Sequence, residues 1–325
     1  MTDMKEVLAH KGARTILETF MKVREGENVS IITDSNKIDV AKILMAEAIT
    51  MGAIVTLCVM KPQDYNGQEP PPPIAAAMKA SDVCLSPTTR VLSHTKARFE
   101  AQAAGSRHCL MSDYTMDMLI SGGLNADLKA VKEKVERLAE IFGRSEMIRV
   151  TAPGGTDLTA HVKGRRANAY HGFAHEPGTY SLCQCQEANI SPLEGETTGI
   201  IVVDAAVAGW LLIESQPITV SVKRGSIVAI EGGEEARRLR EHLAAKKDGN
   251  VYNIAEIGVG LNPECRLIGK VLEDEGVLGT AHIGIGSSIT LGGKVHAKGH
   301  EDLMVWDPCI EVDGKVVQRG KELFF

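Results

Sequence analysis

Residues 27–60, ENVSIITDSNKIDVAKILMAEAITMGAIVTLCVM, decide the fold of the first half of the chain. ENVSIITDS is an apolar, β-branched run of strand length. DVAKILMAEAITMG follows with apolar residues at helical spacing and stops at Gly52, a helix-ending signal. AIVTLCVM is a second strand. Working outward, the same alternation continues on both sides. KGARTILETFMKV (11–23) reads as a helix. Downstream come the helix PPPPIAAAMKAS (70–81), the strand DVCLSPT (82–88), the helix HTKARFEAQAAGS (94–106) and the strand RHCLMSD (107–113). Repeated β-α units of this length predict a parallel sheet with helices on its faces. No G-x-G-x-x-G and no G-x-x-x-x-G-K-[ST] follows any of these strands, so a nucleotide cradle is not expected. Residues 1–145 are read as an α/β scaffold domain.

The charged amphipathic helix DLKAVKEKVERLAEIFGRSE (127–146) leads into a different texture. Short β-rich runs with Gly turns dominate from Met147 onward, and VDGKVV (312–317) is a hairpin signal. One helix, EEARRLREHLAAKK (234–247), interrupts the strands, and its alternating charges suit a solvated face. Residues 146–325 are read as an α+β catalytic, metal-binding domain.

The chain has 325 residues and a formal charge of −6, with no basic stripe, which argues against nucleic acid. No apolar run is long enough to span a membrane. Seven cysteines occur without a C-x-x-C pair, and the N-terminus lacks a secretory pattern, so a reducing cytoplasm is expected. Cys183 and Cys185 in SLCQCQE are expected as packed core cysteines.

Chemistry concentrates in the last third. GHEDLMVWDP (299–308) carries an H-x-D pair, His300 and Asp302. TAHIGIG (280–286) carries His282, and NIAEIGVGLNP (253–263) carries Glu256. Each stands in or beside an apolar, strand-like run. A buried carboxylate there is costly unless neutralised, and a divalent cation is the usual answer. The segment GRRANAYHGFAHEPGTY (164–180) holds Arg165, Arg166, Tyr170 and His171. Arginine forks suit a substrate carboxylate, and a histidine suits acid–base work. An exposed hairpin with incidental charge is the plainer alternative.

With these motifs in hand, residues 185–320 resemble the aminopeptidase T and aminopeptidase S metallopeptidase family. The match rests on Glu187 five residues before Pro192 in QEANISPLEGETTGIIVVD, and on the segments of Glu256, His282, His300 and Asp302. The resemblance implies a two-metal site of Zn, Co or Mn with Glu187, Glu256, His282, His300 and Asp302 as ligands. Glu256 is expected as the bridge, because its strand lies next to the segments of both His282 and Asp302, and the resemblance implies a homodimer handling a small-molecule substrate. The expected activity is a metallohydrolase cleaving an amide or related C–N bond, with Glu256 and His171 as the catalytic pair. Position 289 is Ile where the peptidases carry Tyr, which removes an expected oxyanion donor and points away from peptides. The first domain is also similar to 2,5-dihydroxypyridine 5,6-dioxygenases, which implies the alternative: one Fe(II) on His282, His300 and Asp302. The apolar run AAVAGWLLI (205–213) is expected to expose Trp210, Leu211 and Leu212 as a dimer patch.

Overall fold

The computed structural model describes residues 4–325. The opening helix starts earlier than its apolar period suggests, at Met4–Thr15, and continues as a wider π-turn over Ile16–Phe20. The unit 27–60 becomes the strand Asn28–Asp34, the helix Ile38–Thr50 and the strand Ile54–Met60, with the two strands parallel and in register from Asn28↔Ile54 to Asp34↔Met60. Val83–Ser86 and Arg107–Leu110 add to the other side of Asn28–Asp34, also parallel. The parallel sheet is closed on that side by a three-residue strand from much later in the chain, Tyr180–Leu182. Residues 1–128 and 171–184 form one compact unit, and residues 129–170 and 185–325 form another.

The second unit holds two mostly antiparallel sheets, of eight and seven strands. The eight-stranded sheet contains the hairpin read from VDGKVV: Cys309–Val312 and Lys315–Arg319 are joined at Asp313 and Gly314, both with positive φ. Two positive-φ residues suit the twist of a tight hairpin. The seven-stranded sheet runs in the order Leu211–Leu212, Ala206–Val207, His300–Trp306, Thr280–Gly286, Ile254–Gly260, Glu187–Ile190, Ala167–Tyr170. Side chains alternate across a strand. Ile283 and Ile285, with Leu303 and Val305, therefore turn to one face. There they join Leu158, Ile201, Val203, Ile218 and Val220 of the larger sheet, and Leu239 and Leu243 of the helix Glu234–Ala245, in a single buried cluster. The residues between them turn to the opposite face.

The apolar run 205–213 is not an exposed patch. Gly209, at φ +81°, folds it into two short strands. Leu211 is 3% exposed, and the Trp210 ring stacks on His242 at 4.6 Å while its Nε1 donates to Glu301. The turn was hidden because Gly209 sits within an unbroken apolar stretch. No helix among the described residues is long and apolar enough to cross a membrane.

Candidate metal centre

The face of the seven-stranded sheet turned away from the apolar cluster carries Glu187, Glu256, His282, His300 and Asp302. Register explains how residues so far apart in sequence meet. Glu256 lies opposite Gly284, which in turn lies opposite Asp302; His282 lies opposite Gly258, His300 opposite Gly286 and Glu187 opposite Gly260. Each of these side chains thus has a glycine across the strand pair. A β-carbon at Gly284 would come within 2.7 Å of both Glu256 Cβ and His300 Nε2. The glycines of EIGVG and HIGIG clear the floor on which the side chains stand.

The donors fall into adjoining groups. Glu187, Glu256 and His282 can bring one ligand atom each within 4.8 Å of one another, and so can Glu256, His300 and Asp302. Glu256 belongs to both: its Oε1 lies 3.8 Å from His282 Nε2 and its Oε2 lies 3.0 Å from His300 Nε2. His300 Nε2 is also 3.2 Å from Asp302 Oδ1. His300 donates from Nδ1 to the Ser287 carbonyl at 2.9 Å. That bond fixes the tautomer and leaves Nε2 as the nitrogen that faces the carboxylates.

Glu187 Oε2 and His282 Nε2 are 2.7 Å apart, yet neither has a hydrogen-bond partner, because the ring N–H is out of line with the oxygen. His282 Nδ1 is buried and unpartnered as well. Orphaned buried polar atoms are costly. Two such atoms in contact but out of line suit ligands that share a cation rather than a proton. With hard carboxylates and imidazoles as donors, the set fits a divalent transition metal ion.

Without a cation the charges are strongly unequal. Burial opposes protonation of His282 and His300, but the adjacent carboxylates, Glu187 and Asp302 foremost, hold both imidazoles well above their ordinary range. Burial pushes the Glu187 carboxyl up. Burial acts likewise on Glu256, but the two imidazoles beside it, His282 and His300, hold it below the usual range. For Asp302 burial is outweighed by the His300 charge, and its carboxyl is held far down.

Behind the ligands lies a residue that the sequence reading missed. Glu275 is buried beside Asp302 and receives the Cys185 thiol at 3.5 Å. Burial and the charge of Asp302 push its carboxyl well above the usual range. A third donor group, Cys185, Glu187 and Glu275, overlaps the first through Glu187. Glu275 follows a short helix, Val271–Asp274, in a segment without strand patterning, and only its acidic company, LEDEG, hinted at it.

The other expected site residues are placed as follows. The Arg165 guanidinium is buried and donates to the Gly292 carbonyl at 3.0 Å, to the Pro192 carbonyl at 3.2 Å and to Glu194. Arg166 is exposed, and its Nη2 donates to Asn168 Oδ1 at 3.2 Å. Tyr170 ends the strand Ala167–Tyr170, opposite Glu187. His171 belongs to the first unit, where its Nδ1 accepts the Phe173 amide at 3.1 Å. Ile289, at the position of the peptidases' tyrosine, starts a short 3₁₀ turn, Ile289–Leu291, and is 42% exposed.

Comparison with known proteins adds the following. Residues 14–323 match the family described as NicX, 2,5-dihydroxypyridine 5,6-dioxygenase. The 2,5-dihydroxypyridine 5,6-dioxygenase of Pseudomonas putida KT2440 is 25% identical over 197 residues, 57% of this chain, and the match spans 56% of that relative's length. The solved structure of 2,5-dihydroxypyridine dioxygenase from the same organism is similar at a TM-score of 0.85 and 20% identity, covering 98% of this chain and 97% of that one. Wild-type AmpT from Thermus thermophilus, an aminopeptidase T, is similar at 0.69 and 15%, covering 98% and 99%. The two structural likenesses show a shared fold. Together with the family match, they bear out the resemblance to the aminopeptidase T group and its dioxygenase relatives. The family match overturns the expected metallohydrolase, and with it the hydrolase and aminopeptidase labels. The physical reason is that carboxylates and imidazoles on a strand face specify a cation, not what the cation is used for.

Proposed function

Because the chain belongs to the 2,5-dihydroxypyridine 5,6-dioxygenase family, we propose that it is a metal-dependent dioxygenase that opens the ring of a hydroxylated pyridine. In the reaction that name describes, the bond between ring carbons 5 and 6 breaks as both atoms of dioxygen enter the product. The observation that carries the reading is the family match from residue 14 to residue 323, joined to a buried donor set whose facing atoms lack hydrogen-bond partners.

His300, Asp302 and Glu256 would hold the ion, with His282 and Glu187 on the other side of the Glu256 carboxylate. Ferrous iron suits this site, and when bound it supplies the one-electron chemistry that dioxygen needs to react with an organic substrate. The chain's own residues do the rest. The Ser287 carbonyl holds the His300 ring in the tautomer that presents Nε2. Glu275 stands behind Asp302, where the Cys185 thiol holds it. The donor count also leaves room for a second ion. Glu256 turns one oxygen to His300 and the other toward His282, so Glu187 and His282 supply ligands beyond those of a single-ion site.

Oxygen uptake by anaerobically loaded protein, with ferrous ion and 2,5-dihydroxypyridine, tests the activity. The expected result is one dioxygen consumed per ring lost, abolished by Asp302→Ala. No uptake with any dihydroxypyridine isomer, despite full iron loading, overturns the assignment. Elemental analysis of the same sample counts the ions.

A further inference from the structure

Among the described residues, the side-chain hydrogen bond that reaches Glu187 comes from a neighbouring side chain. Asn189 Nδ2 donates to Glu187 Oε1 at 2.8 Å, which leaves Oε2 beside His282. Asn189 is fully buried, and its own Oδ1 accepts from Asn168 Nδ2 at 2.8 Å. Asn168 in turn accepts at Oδ1 from the Arg166 guanidinium at 3.2 Å. A guanidinium has only donors, so Asn168 must turn its oxygen to Arg166 and its nitrogen inward. Asn189 must then turn its oxygen to Asn168 and its nitrogen to Glu187. Every hydrogen bond in the row points the same way, from a cation at the surface to a buried carboxylate. Such a chain polarises each member in turn.

The strand register builds this row. Asn168 pairs with Asn189, Asn189 with Gly258 and Gly258 with His282. The missing side chain at Gly258 lets the row end at the ligands. Asparagine is a poor strand residue, and two buried side by side on adjacent strands need a reason.

We propose that Asn189, oriented by Asn168, is a positioning residue that commits Glu187 to offering a single oxygen, Oε2, to the cation. The inference rests on the reading of this cluster as a metal site. A carboxylate held at Oε1 cannot rotate to chelate with both oxygens, nor turn away from His282 when the ion leaves. The apoprotein therefore keeps a ligand in place, and its affinity for the ion depends on two amides that never touch it.

Anaerobic calorimetric titration of the metal-free chain with manganese(II), which reads affinity rather than turnover, tests this. N189A is expected to weaken binding by roughly 10- to 100-fold, the range usual for partners of metal ligands. N168D is expected to weaken it similarly, although residue 168 does not touch Glu187. An aspartate there has no donor for Asn189, so the Asn189 amide turns over and sets its oxygen against Glu187. N168A leaves the Asn189 amide free to keep its nitrogen on Glu187 and is expected to cost less than N168D. A merely structural role gives the reverse order, because alanine leaves the larger void. Manganese affinity within about twofold of wild type in N168D, or N168A weaker than N168D, overturns the proposal. If N189A does not fold, the two residue-168 variants carry the test. A wild-type chain that binds no manganese overturns the reading of the site and this inference together.

Discussion

Gly258 faces His282 across a strand pair, and a β-carbon on it would lie 1.9 Å from the imidazole Nε2. The imidazole has to leave its place if any other residue stands there. Gly258→Ala is therefore expected to lose about 1–3 kcal/mol in thermal unfolding, the usual cost of overpacking. It should also lower divalent metal content well below that of wild type. Elemental analysis of the folded variant decides; full metal loading in it would remove His282 from the ligand set.

The metal-free chain should lose stability as pH rises. Both His282 and His300 have folded pKa values above their unfolded value, through the carboxylates beside them. Their contribution is fully present below about pH 6.5 and is lost as pH rises through the folded values. A bound ion needs neutral imidazoles, so loading it releases protons and removes that slope. Melting curves from about pH 6 to about pH 9, with and without manganese, show this directly. A metal-free melting temperature that climbs across that range contradicts the assignment.

Burial and Asp302 hold the Glu275 carboxyl well above its usual range, which favours the neutral form, and glutamine is close to that form in charge and shape. Glu275→Gln is expected to keep metal affinity within about threefold. Glu275→Ala leaves a cavity and strips the Cys185 thiol of its acceptor, costing about 1–3 kcal/mol of stability. Equal losses in the two variants would show that Glu275 works as a charged group.

In the first unit, His108 is buried, with Nε2 at 3.0 Å from Ser86 Oγ and 3.6 Å from the Cys84 thiol. Burial, with some help from Arg98, lowers its pKa to about 3. The unfolded chain takes up this proton near pH 6.5 and the folded chain does not. Stability is therefore lost progressively as pH falls from about 6.5 toward 3. His108→Gln should flatten acid unfolding over that window, as followed by circular dichroism. An unchanged acid slope would place its origin elsewhere.

The parallel sheet was legible because each of its first four strands is apolar at strand length and each helix has a clean period. The fifth strand, Tyr180–Leu182, was not. It is three residues long, and its partner Arg107–Leu110 lies some seventy residues earlier. The five candidate ligands were readable from the family resemblance and from the glycine-rich strands that carry them. Their partners were not, because Asn168, Asn189, Cys185 and Glu275 reach the site only through register and loop geometry. A signal was present in QEANI, where an asparagine interrupts a buried strand. The reaction was not legible, since hydrolases and oxygenases draw on the same donor atoms.

The ligands sit at alternate positions on strands that pair antiparallel, at residues 187, 256, 282, 300 and 302. A slip of one residue in any strand would turn its ligands into the apolar layer and its isoleucines or valines outward. If the site takes an ion as proposed, loading would report on folding: only a chain whose strands had found their correct partners would close the cage, and a misregistered one would stay metal-free.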